Sequence, residues 1–181
     1  MFSKLSYWIL RILGWRIEGD VSPTLKKYVM IAGPHTSWWD FPLGLLVRSA
    51  KKLNIKYLGK HTLFKPPFGF FFYWTGGIPI NRTSRHQSVE SLIDVFNQHD
   101  RMAIVIAPEG TRKKVDKLKS GFYHIARAIG VPVVIVTFDF GNRLVTFSPP
   151  MELSDQKEED LKTIWNHFKG VRGKVPENGI F

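Results

Sequence analysis

Cysteine is absent from the 181 residues, which excludes disulfides, thiolate zinc sites and a cysteine nucleophile. The chain also lacks a G-x-S-x-G elbow, a G-x-x-x-x-G-K-[ST] loop and a G-x-G-x-x-G fingerprint. Its six histidines show no H-E-x-x-H spacing, so no metal site is expected. No apolar run approaches the roughly 20 residues needed to cross a bilayer, and no small-residue cleavage site follows the N-terminal segment. Neither a transmembrane anchor nor a signal peptide is therefore expected, and the cytoplasmic side is the default location. Acidic residues are few, 15 Asp and Glu against 26 Lys and Arg, for a formal charge of +11. That excess favours anionic partners: phosphate-bearing substrates, anionic membrane surfaces or nucleic acid. Internal repeats, low-complexity tracts and domain boundaries are also missing, so residues 1–181 are read as one domain.

What the chain has in excess is large rings, with 14 Phe and 6 Trp in a composition that is 14% aromatic. This is more apolar surface than one core needs. Two segments concentrate it. Phe2 to Ile17 carries Leu5, Trp8, Ile9, Leu10, Ile12 and Leu13, with Lys4 and Arg11 on one stripe. Read as a helix, residues 1–17 would lie on a membrane surface with Trp8 and Trp15 at headgroup level; the alternative is a helix packed on the core. Leu63 to Trp74 is the most aromatic segment, and Pro66, Pro67 and Gly69 prevent a long helix there. Its rings cannot all turn inward from one regular element, so some should line an apolar groove or touch membrane, against the alternative of a short buried segment.

Between these segments, strands and helices alternate. Tyr28 to Ala32, Ile55 to Lys60, Ile78 to Arg82, Met102 to Ala107, Val131 to Phe140 and Arg143 to Phe147 read as strands. Helices are expected from about Leu43, over Ser84 to Asp100, over Gly121 to Ile129 and over Ser154 to Phe168. The residues after Gly170 look loosely structured. This pattern predicts a layered α/β fold with a mainly parallel or mixed central sheet flanked by helices, a core over 28–153, and a C-terminal helix and tail over 154–181.

The chemistry concentrates where strands run out into loops, the usual ligand edge of such sheets. In His35-Thr36-Ser37-Trp38-Trp39-Asp40 a histidine and a carboxylate stand five apart between a strand and a helix. A carboxylate that accepts from one imidazole nitrogen leaves the other basic, so the pair can take a proton from a hydroxyl. The plainer reading is a satisfied histidine beside an ordinary N-terminal acid. Arg82 and Arg112, each close to glycine and strand, with Lys60 and the basic run Lys113, Lys114, Lys117 and Lys119, would form a phosphate clamp. Glu109 directly after a buried strand is expected to pair with a basic group or a substrate hydroxyl, and Gly110 permits close backbone approach.

Taken together, these blocks resemble the glycerolipid acyltransferase family with its HX4D motif. His35 to Asp40 matches that motif, Gly77-Ile78-Pro79-Ile80-Asn81-Arg82 the glycine-to-arginine block, Glu109-Gly110-Thr111-Arg112 the EGTR block, and Val131-Pro132-Val133 the apolar block with proline. Lys60 to Phe64 is similar to the lysine-containing stretch before the second block. The resemblance implies an acyltransferase in which His35 is the general base, Asp40 orients it, and Lys60, Arg82, Glu109, Gly110, Thr111 and Arg112 bind the acceptor. It implies no cofactor, with acyl-coenzyme A or acyl-acyl carrier protein as co-substrate and a lysophospholipid as acceptor, foremost 1-acyl-sn-glycerol-3-phosphate. It also implies peripheral attachment to the cytoplasmic face of an anionic membrane. Pro34, Lys113 and the pair Trp38 and Trp39, which would narrow the space beside the base, depart from the family pattern and leave other lysophospholipids or lyso amino-acid lipids open as acceptors. A basic module for RNA or anionic membranes is the alternative from another class. The basic residues are spread rather than grouped on a nucleic-acid motif, so nucleic acid is not expected as a partner.

Overall fold

In the computed structural model, which describes residues 2–80 and 85–180, seven strands form one sheet between two layers of helices. The chain runs α1 (Phe2–Ile12), β1 (Arg16–Glu18), β2 (Lys27–Gly33), α2 (Asp40–Ala50), β3 (Ile55–Lys60), a 3-10 turn (His61–Phe64) and α3 (Gly69–Trp74). It continues through β4 (Gly77–Ile80), α4 (Arg85–Asn97), β5 (Met102–Ile106), α5 (Gly121–Ile129), β6 (Val133–Asp139), β7 (Leu144–Phe147), α6 (Lys157–Phe168) and a 3-10 turn (Pro176–Asn178). The sheet order is β1-β7-β6-β2-β5-β3-β4, with β6 and β7 antiparallel and every other neighbouring pair parallel. This is the mixed, mainly parallel sheet the strand-helix alternation predicts.

The most apolar strands take the middle of the sheet because helices cover both of its faces. Side chains alternate along them. Val29, Ile31, Ile104, Val133 and Ile135 join Phe96, Phe122, Ala126, Ile164 and Phe168 in the core under α4, α5 and α6. Their neighbours Tyr28, Met30, Ala103, Val134, Val136 and Phe138 join Leu10, Leu43 and Val47 in the core under α1 and α2. Because β2, β3, β4, β5 and β6 run parallel, Gly33, Lys60, Ile80, Ile106 and Asp139 all end on one edge of the sheet.

Two expectations change. The first helix stops at Ile12, and the chain turns through Gly14 at φ +77°. Trp15 is consequently buried, edge-on to Phe140 at 5.0 Å, and does not face outward beside Trp8, while Arg16–Glu18 adds an edge strand parallel to β7. A strict helical count over Phe2 to Ile17 missed this because glycine ends helices cheaply. The tail after Gly170 is packed, not loose: Ile180 is 2% exposed and lies in the α4–α6 core. Arg82 lies outside the described residues.

Candidate active site

Gly33 and Pro34 end β2 and release the chain toward α2, whose first residue is Asp40. The loop between them folds around one carboxylate oxygen. Asp40 Oδ2 accepts the backbone N–H of Thr36 and of Ser37, each at 3.0 Å, and lies 2.8 Å from His35 Nδ1. An oxygen already taken by two amide donors is an acceptor, so Nδ1 carries the hydrogen and Nε2 keeps its lone pair. Asp40 is 4% exposed, whereas the His35 side chain is 26% exposed, so the imidazole is reachable from solvent and its partner is not. The five-residue spacing therefore produces the contact it predicts.

Glu109, three residues past β5, is 3% exposed, and its Oε1 accepts the backbone N–H of His35 at 2.8 Å. Its Oε2 and Asp40 Oδ1 are buried without a hydrogen-bond partner among the described residues. Burial pushes the Glu109 carboxyl above the ordinary carboxylate range, and the His35 amide only partly offsets this. Glu109 makes no salt bridge among the described residues; its Oε1 holds the His35 backbone instead.

The remaining predicted residues line the same edge. Lys60 closes β3, which pairs with β5 through Tyr57 and Val105. Gly110 takes φ +65° just past Glu109, the Thr111 hydroxyl accepts the Lys113 N–H at 3.3 Å, and Arg112 and Lys60 are exposed. Lys119, which the sequence placed only in a basic run, folds back over this block. Its N–H donates to the Pro108 carbonyl at 2.8 Å, and a Cβ on Gly110 would stand 2.9 Å from its Nζ. The signal that singles out Lys119 is a tertiary contact, invisible in spacing.

Beneath α2 an apolar cavity of about 210 Å³ has His35 and Asp40 in its lining, with walls from Met30, Ala32, Gly44, Val105, Val136 and Phe138. Arg48 and Leu53 also line it. At 1.5 Å per residue Arg48 lies about 12 Å along α2 from Asp40. Its Nε donates to the Leu53 carbonyl at 3.3 Å and its Nη1 to that of Thr75, which fixes this half-buried guanidinium in the part of the lining away from His35. Trp38 and Trp39 do not narrow the cavity as expected; they stack on each other at 4.3 Å and are about half exposed.

Known proteins are similar to this chain in sequence and in fold. The 1-acyl-sn-glycerol-3-phosphate acyltransferases of Escherichia coli (strain K12) and Salmonella typhimurium are 30% and 28% identical to this chain over 133 residues, which is 63% of this chain and 54% of theirs. The chain thus spans about half the length of these curated relatives. The crystal structure of the 1-acyl-sn-glycerophosphate (LPA) acyltransferase PlsC from Thermotoga maritima shares the fold, with a TM-score of 0.63 and 20% identity over 96% of this chain and 80% of that one. The acyltransferase family profile matches residues 15–139, which enclose His35, Asp40 and the Glu109 to Arg112 block, and on that match the chain belongs to the acyltransferase family.

Proposed function

We propose that this chain transfers a fatty acyl group from a thioester, acyl-coenzyme A or acyl-acyl carrier protein, to the hydroxyl of a lysophospholipid, with 1-acyl-sn-glycerol-3-phosphate as acceptor and phosphatidic acid as product. The observation that carries the reading is His35, its Nδ1 held by Asp40 and its ring in the lining of an apolar cavity. Nε2 takes the acceptor's proton as its oxygen attacks the thioester carbonyl. Collapse of the tetrahedral adduct expels the thiolate, which the imidazolium can protonate. The imidazolium that forms between these steps is stabilised by Asp40. The acyl chain lies in the cavity under α2, and Lys60, Gly110, Thr111, Arg112 and Lys119 receive the acceptor phosphate, with Arg82 joining them as the family motif implies.

Membrane attachment is part of the same reading. Every large hydrophobic side chain that is exposed among the described residues lies on α1 and Leu13, on Trp38 and Trp39, or within Leu63 to Trp74. These elements meet across α2: Ser6 bonds Ser49 at 2.9 Å, and Phe41 contacts Phe72 at 6.2 Å. The opposite face, under α4, α5 and α6, carries none among the described residues. An apolar face of this kind on a basic molecule fits a lipid surface, and would let chains enter beside His35. No helix among the described residues is long and apolar enough to cross a membrane.

The test is thiol release from both donors over a lysolipid panel, with products identified by mass spectrometry. His35→Ala should lower kcat/KM by about 10²–10⁴ with an unchanged melting curve; activity within a few-fold of the parent removes His35 from the mechanism.

A further inference from the structure

Residues after α6 form little regular structure, yet they are anchored at intervals. The Val171 N–H donates to the Phe168 carbonyl at 3.1 Å, the Phe140 N–H to the Arg172 carbonyl at 2.8 Å, and Ile180 is buried in the same core as Phe168. Between these anchors the chain passes against Thr36. Gly173 packs so closely there that a Cβ would stand 2.5 Å from Thr36 Oγ1 and 2.6 Å from its Cγ2, nearer than real atoms approach. The Val175 N–H donates to Thr36 Oγ1 at 3.2 Å. Thr36 is itself 3% exposed, and its own N–H is one of the donors on Asp40 Oδ2. A second contact comes from α6, whose last residue places its ring beneath Gly33: a Cβ there would lie 3.0 Å from Phe168 Cε1.

We infer that the segment 169–180 is a strap that sets the catalytic loop, with Gly173 and Val175 as positioning residues that act on His35 through Thr36 and Asp40. The inference rests on the reading of His35 and Asp40 as the base pair. The physical need is clear from the loop's own bonds. Glu109 holds the His35 amide and Asp40 gathers Thr36 and Ser37, but the Thr36 side chain has no partner in the loop itself and finds one in the strap. A base must stand within about 0.5 Å of its productive place, and a misplacement near 1 Å costs about 10²-fold in rate. A bulkier residue at 173 pushes Thr36, moves its N–H off Asp40 and turns the imidazole.

Gly173→Ala in the full chain should lower kcat about tenfold or more while KM for donor and acceptor stays within about twofold. In a Thr36→Ala background, where the clashing atoms are gone, the same change should cost less than about twofold. The His35 Nδ1 proton, found downfield by NMR and assigned through its loss in His35→Gln, should shift or broaden in Gly173→Ala. A kcat within about twofold of the parent, equal effects in both backgrounds, or an unmoved proton each overturns the strap. If the parent consumes no thioester with any lysolipid, the function proposed above fails, and the NMR arm still judges the strap. Should Gly173→Ala not fold by circular dichroism, Thr36→Val, which keeps the shape and removes only the acceptor for Val175, takes its place with the same readouts: a lower kcat at unchanged KM and a shifted proton support the strap, and neither change sinks it.

Discussion

Around His35 two buried carboxylates divide the work by what each oxygen accepts. Asp40 Oδ2 meets the ring and two amides, while Glu109 Oε1 meets the His35 amide, and each carboxylate leaves its other oxygen without a hydrogen-bond partner among the described residues. Desolvation of Glu109 is only partly offset by its backbone hydrogen bonds and by His35, so its carboxyl is pushed up. The consequence for stability follows from proton linkage. With the folded-state pKa above the unfolded one, the native state binds more protons in the interval between them, so this group's contribution is fully present below the unfolded value and is lost as pH rises through the raised one. Glu109→Gln keeps an acceptor for His35 and titrates no proton. Its melting temperature relative to the parent should rise as pH climbs above the ordinary glutamate value of about 4.3; thermal melts over a pH series above that value that keep a constant gap contradict the assignment.

At the scale of elements, α2 is both the scaffold of the site and the roof of the cavity. Its first residue holds the His35 ring and its last turn brings Arg48 to the far part of the lining, so the cavity runs along most of the helix. Gly44 sits midway with only Phe138 near, at 3.7 Å from an added Cβ. Glycine inside a helix is destabilising by roughly 0.5–1 kcal/mol against alanine, so a larger residue there does not threaten the fold and fills apolar space. Gly44→Leu should shift the preference toward shorter acyl donors by about tenfold or more in relative kcat/KM, since each methylene that loses burial forfeits about 0.8 kcal/mol. Thiol release across a series of donor chain lengths measures it, and an unchanged preference removes the acyl chain from this cavity. The short helix α3 shows how local and tertiary rules divide. Pro66, Pro67 and Gly69 forbid a long helix, as the sequence indicates, but the seat of α3 depends on Tyr57, which bonds the Phe72 carbonyl at 3.1 Å and Thr75 Oγ1 at 2.7 Å.

For the molecule as a whole, the uneven distribution of exposed rings is the governing fact. Phe70 and Trp74 are 74% and 77% exposed and lie away from either core, so their removal costs the fold little. Phe70→Ser with Trp74→Ser should weaken binding to vesicles of mixed anionic and neutral lipid by about tenfold or more at an unchanged melting temperature. Cosedimentation at several salt concentrations checks this, and equal binding by parent and variant refutes a docking role for α3. Much of this architecture was legible in the chain. The apolar runs of β2, β5 and β6 dictated central strands because only residues apolar on both sides suit a sheet covered on both faces. The spacing from His35 to Asp40 predicted their pairing because one strand end and one helix start leave a single loop to close. Composition likewise required exposed aromatics. What spacing could not decide is which distant groups meet. The seat of Glu109 under His35, the burial of Trp15 and the passage of Gly173 beneath Thr36 all join residues tens of positions apart or more, and the return of Lys119 over Gly110 crosses an irregular loop. Periodicity reports only neighbours along the chain, whereas such contacts are chosen by sheet order and by the packing of two complete cores.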